Sequence, residues 1–121
     1  PRTALYFFKD WATTVFYTDF LVRAAYERDL ASLVAALLPC MWGYAEIAAT
    51  LRDRGLPNVS RYREWIETYT GAEFTALAGE MRSVYDRVGD ASLADRELFL
   101  TGTRYELAFW EQSWRLESWP A

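Results

Sequence analysis

The chain has 121 residues, of which 52% are apolar and 17% aromatic, with a net charge of −4, one cysteine and no histidine. That length supports one domain with a single core, and the aromatic surplus requires a lined cavity, a subunit interface or further partner sequence to hide it. The missing histidine excludes Cys–His pairs, Ser–His–Asp triads and imidazole-based zinc or haem sites, and the absence of any basic run argues against nucleic acid as a partner.

Helical periodicity runs through the sequence, and no segment alternates as a strand. The spacing predicts a first helix from about Leu5 to Tyr26, with Phe7, Phe8, Trp11, Val15, Leu21, Val22 and Ala25 on its apolar surface. Asp29 is placed to cap a second helix reaching about Arg54, which Pro39 bends or splits. Gly55-Leu56-Pro57-Asn58 is a stop and turn. Ser60 is the expected N-cap of a short helix to Tyr69. Thr70-Gly71-Ala72-Glu73 has capping-box spacing for a fourth helix ending near Val88-Gly89-Asp90. Ser92-Leu93-Ala94-Asp95 opens the last helix, which runs to about Trp114 with Gly102 as its weak point. The expectation is an all-α bundle of about five helices with short connections.

One cysteine cannot close an intramolecular disulfide, so a reducing compartment is expected. Pro1-Arg2-Thr3 lacks the pattern of a secretory leader. The longest uncharged stretch, Leu30 to Ala45, is interrupted by Pro39 and reads as too short to span a bilayer. These features point to a soluble, cytoplasmic protein without a membrane partner.

Two positions stand out chemically. Cys40 lies in the most apolar stretch, with Tyr44 one helical turn away on the same face, where a phenol can hydrogen-bond a thiol. With no histidine available, a reactive Cys40 needs a carboxylate, a phenol or a helix terminus to activate it; the plainer reading is a buried packing residue beside a kink. Glu106 lies among Phe99, Phe109 and Trp110. There it either salt-bridges an arginine such as Arg23 or is raised in pKa by desolvation, as suits a general acid. The aromatic run around Tyr17 suits a core. Asp10, beside Lys9, reads most simply as solvated. Neither a phosphate-binding glycine loop nor a cluster of metal ligands is present.

Four segments taken together carry a resemblance. Tyr17-Thr18-Asp19-Phe20-Leu21-Val22-Arg23, Leu37-Leu38-Pro39-Cys40-Met41-Trp42-Gly43-Tyr44, Trp65-Ile66-Glu67-Thr68-Tyr69 with Glu73-Phe74, and Tyr105-Glu106-Leu107-Ala108-Phe109-Trp110-Glu111 occur in that order. In this the chain resembles the C-terminal half of the TenA family of thiaminase II, or aminopyrimidine aminohydrolase, proteins. The resemblance implies a heme-oxygenase-like helical bundle that assembles as a tetramer and needs no metal or cofactor. It implies hydrolytic deamination of 4-amino-5-aminomethyl-2-methylpyrimidine, with thiamin also cleaved, in thiamin salvage. Carried over by residue, Cys40 matches the nucleophile and Glu106 the acid/base. Tyr44 matches the phenol beside the thiol, while Tyr17 and Tyr69 match tyrosines that hold the pyrimidine. Asp10 matches the family's substrate-gripping aspartate, although a long segment separates that residue from the Tyr17 match in the family. The competing expectations are a non-catalytic helical module that binds small heterocycles or serves assembly, and a truncated half-domain.

Overall fold

A computed structural model of the chain describes residues 12–116. These form five helices: α1 (Ala12–Glu27), α2 (Leu30–Asp53), α3 (Ser60–Thr70), α4 (Ala72–Val88) and α5 (Leu93–Arg115). The expected all-α bundle is the observed fold. The segment before Ala12, including Asp10 and the expected start of the first helix, lies outside the described residues.

Local chemistry explains most of the boundaries. Asp29 Oδ1 accepts from the Ser32 backbone N–H at 2.9 Å, satisfying one of the free donors at the start of α2. That bond holds the Asp29 carboxyl below its ordinary range. At the other end, Gly55 adopts φ 108°, a left-handed conformation that only glycine enters without strain, and its N–H bonds the Arg52 carbonyl at 3.0 Å. Ser92 Oγ accepts from the Asp95 N–H at 3.2 Å and starts α5 as expected.

Two expected caps are corrected. Ser60 is already the first helical residue of α3, and Val59 holds the cap position with no side-chain bond. The Thr70 hydroxyl donates instead to the Ile66 carbonyl at 2.7 Å, inside the preceding helix. Gly71 therefore becomes the cap of α4, again without a side-chain bond.

Helix α2 is the hub, touching each of the other four helices. It runs unbroken through Pro39. The proline removes one donor, and the helix survives because the flanking residues are packed on several sides. Because it is unbroken, α2 is long and apolar enough to cross a membrane by length and composition. Its buried residues Ala31, Val34, Ala35, Ala36, Leu38 and Ala48 account for that apolarity as packing at the centre of the bundle.

The crossing of α2 and α5 positions the chemistry. A Cβ at Gly102 would lie 2.8 Å from the Ala36 carbonyl oxygen and 3.1 Å from Pro39 Cγ. Gly102 is therefore the contact point that lets the two backbones meet, rather than a weak point of α5. Cys40 follows Pro39 directly, and Glu106 lies one turn beyond Gly102, so this crossing sets the two residues opposite each other. A second tie sits nearer the start of both helices. Buried Asp95 accepts from Ser32 Oγ at 2.7 Å and from the Tyr85 hydroxyl at 2.9 Å, joining α2, α4 and α5.

Candidate active site

Glu106 is only 9% exposed, so its carboxyl is removed from water on a face of α5 turned toward α1 and α2. The Tyr17 hydroxyl, from α1, donates to Glu106 Oε1 at 2.7 Å. Oε2 is buried and has no hydrogen-bond partner among the described residues. The Tyr44 phenol lies near enough to act on the Glu106 charge, but it does not close a direct bond to that oxygen. Burial pushes the Glu106 carboxyl above the ordinary glutamate range, and the two phenols oppose that rise.

Cys40 is half-buried, and its thiol donates to the Leu37 carbonyl at 3.0 Å. Burial raises the thiol pKa first and the nearby Glu106 charge second, while the neighbouring Tyr17 phenol opposes both. At neutral pH Cys40 thus rests as a thiol. Its ionisation is tied to the carboxyl one helix away.

The phenols are pushed up as well. Tyr17 is raised by burial and then by the charges of Cys40 and Glu106; Tyr44 is raised by burial and then by Glu106. Both therefore act as hydrogen-bond donors that keep their protons. Tyr17 is fixed by stacking on Tyr105, with centroids 5.4 Å apart and planes at 10°.

Aromatic rings wall the other side. Tyr44 meets Tyr69 edge-on at 5.2 Å, Trp65 at 5.9 Å and Trp110 at 5.7 Å. Tyr69 in turn packs on Trp65 and Phe74, both at 4.7 Å. Helices α2, α3, α4 and α5 each contribute to this wall.

The structure thus brings together Cys40, Glu106, Tyr17 and Tyr44, with Tyr69 in the adjoining wall. Asp10 lies outside the described residues. The salt-bridge alternative for Glu106 fails, since Arg23 pairs with Glu27 at 3.1 Å on α1. Phe99, expected beside Glu106, pairs with Trp42 at 6.4 Å. Both line a separate cleft of about 490 Å³ that includes none of Cys40, Tyr44 and Glu106. Trp65 and Tyr105 were not singled out as site residues from the sequence. Their signals are their places in the segments that carry the resemblance and their spacing, with Trp65 one turn before Tyr69 and Tyr105 adjoining Glu106. No group of three or more Cys, Asp or Glu able to hold a metal ion occurs among the described residues.

Comparisons with known proteins bear on the family and the fold. The TENA/THI-4/PQQC family model matches residues 7–116. The chain is 35% identical over 117 residues to an aminopyrimidine aminohydrolase from Halalkalibacterium halodurans, covering 89% of this chain and 51% of the relative. It is 34% identical over 107 residues to the thiamine biosynthesis multifunctional protein ThiED of Corynebacterium glutamicum, covering 84% of this chain and 14% of that protein. Among solved structures, the TenA homologue protein from P. horikoshii OT3 superposes with a TM-score of 0.78 at 38% identity, over 86% of this chain and 50% of its own. The chain thus spans about half the length of the aminohydrolase it matches. A family model that matches nearly end to end, on a bundle that superposes on a TenA homologue, makes this chain a member of the TENA/THI-4/PQQC family.

Proposed function

We propose that the chain hydrolyses an aminopyrimidine, in the manner of the aminohydrolases it resembles, as part of thiamin metabolism. The observation that carries this reading is Glu106 Oε2, a buried carboxylate oxygen without a donor among the described residues, beside the one thiol of the chain. Buried polar atoms are almost always satisfied, so an unsatisfied one at a reactive group marks where a ligand supplies the missing N–H. The amino group of an aminopyrimidine is such a donor.

The chemistry then needs only the residues present. Glu106 takes the thiol proton, and the Cys40 sulfur attacks the electron-poor substrate to form a C–S bond. The C–N bond breaks as Glu106 passes that proton to the departing amine, which leaves as ammonia. Water next forms a C–O bond while the C–S bond breaks, and its proton returns through Glu106 to the sulfur. The net change is amine plus water to alcohol plus ammonia. A carboxyl shifted upward suits this shuttle, because it keeps a proton to higher pH than an ordinary glutamate. The phenols of Tyr17 and Tyr44 steady the charge, while the Tyr69 wall stacks the ring and limits water.

Ammonia release from the aminomethylpyrimidine is the test, with Cys40→Ala lowering the rate by at least about a hundredfold. Unchanged release by that variant would sink the assignment of the nucleophile. A second reading, a module that binds small heterocycles without turnover or serves assembly, is favoured by exposed Tyr26, Trp114 and Leu107. It predicts quenching of tryptophan fluorescence by the pyrimidine with no ammonia. Those exposed side chains also support self-association, readable by sedimentation, and the lone cysteine fits a reducing cytoplasm.

A further inference from the structure

Gln112 is the one large side chain below 2% exposure among the described residues, and it is polar. An enclosed amide is unfavourable unless bonded. Its Nε2 donates to Thr14 Oγ1 at 3.0 Å, joining α5 to α1 across the length of the chain. Thr14 lies one turn before Tyr17, whose hydroxyl reaches Glu106 on that same helix, α5.

Beyond Tyr17 and Phe20, which pack on Tyr105, and buried Ala24, α1 turns much of its apolar surface outward. Val15 is 37% exposed, and Phe16 and Val22 are each 50% exposed. Hydrophobic contact of that kind is non-directional and does not fix the rotation of a helix about its own axis. Each residue advances about 100° around an α-helix, so a slip of one position would carry the Tyr17 hydroxyl off Glu106. A short side-chain bond one turn away blocks that slip.

We propose that Gln112 and Thr14 form a positioning latch that fixes the rotation of α1 and so holds the Tyr17 phenol on Glu106 and beside Cys40. The purpose assigned to the latch rests on the catalytic reading of Cys40 and Glu106. Three groups face the thiol: Tyr17 from α1, Glu106 from α5 and Tyr44 from the next turn of α2. Only Tyr17 moves with the latch.

Cys40 is the one thiol in the chain, so its alkylation by iodoacetamide reads the site without requiring turnover. Thr14→Val, Gln112→Leu and Tyr17→Phe should each slow alkylation at pH 8 by about three- to tenfold, since the phenol proton that draws off the Glu106 charge beside the thiol is lost. Thr14→Ser keeps the hydroxyl and should keep the parent rate. The Thr14→Val/Tyr17→Phe double variant should match Tyr17→Phe alone, because both changes act through one contact. Thr14 is only half-buried, so its variants carry the test even where Gln112→Leu fails to fold. A parental rate in Thr14→Val, or losses that multiply in the double variant, would overturn the latch. Ammonia release should show the same order of variants through kcat with KM little changed. Its absence from the parent would overturn the catalytic reading, while the alkylation pattern still decides the latch.

Discussion

Replacing Gly102 by alanine should destabilise the protein, against the usual gain from removing a glycine inside a helix. The new methyl carbon would sit 2.8 Å from the Ala36 carbonyl oxygen, where ordinary contact begins at 3.4 Å, and 3.1 Å from the Pro39 ring. The oxygen belongs to the backbone of the hub helix and cannot swing aside, so α5 must back away by several tenths of an ångström. Overpacking of this kind costs about 1–3 kcal/mol, while alanine regains about 1 kcal/mol of helix propensity. The net loss is up to about 2 kcal/mol, or up to roughly 10 °C in melting temperature for a domain of this size. Circular dichroism melts of the parent and variant measure it. Gly79, in α4, is the control: a Cβ there meets nothing within 4 Å, so Gly79→Ala should stabilise by about 0.5–1 kcal/mol. Equal stabilisation by both substitutions would refute the claim that Gly102 sets the approach of α2 and α5.

Other substitutions test the buried polar groups. Glu106→Gln should be more stable than the parent at high pH, because a carboxyl whose folded pKa is raised contributes stability only below its ordinary value. The parent should lose stability relative to the variant as pH rises from the ordinary glutamate range through the raised one, and chemical denaturation across that window checks the sign. Asp95→Ala strands the hydroxyls of Ser32 and Tyr85 and should cost about 2–4 kcal/mol in a urea titration. Tyr85→Phe removes one of those bonds and should cost about 1 kcal/mol in the same assay.

The helix order was legible because its signals are local. Asp29, Gly55 and Ser92 each act within a few residues, and each does what its type and position imply. Ser60 and Thr70 misled because a capping pattern does not reveal whether a hydroxyl is already engaged, as that of Thr70 is with Ile66. Gly102 and Pro39 both looked like breaks in single helices; their fit to each other is visible only when α2 and α5 cross. The site divides in the same way. Cys40 and Tyr44 share a helix face and could be paired from spacing, whereas the partner that decides the state of Glu106 is Tyr17, 89 positions away. Family resemblance placed both residues in one site, but their direct bond is visible only in the fold. Gln112 carried no signal at all, since a glutamine near the end of a helix is ordinarily solvated.

The central claim is that Cys40 and Glu106 act as one catalytic centre on an aminopyrimidine. It is tested most directly by ammonia release from the parent, Cys40→Ala, Glu106→Gln and the double variant, each measured under identical conditions. Groups that work as a unit are strongly non-additive, so the double variant should be no slower than Cys40→Ala alone. Losses that multiply in the double variant, or parental turnover in either single variant, would contradict it.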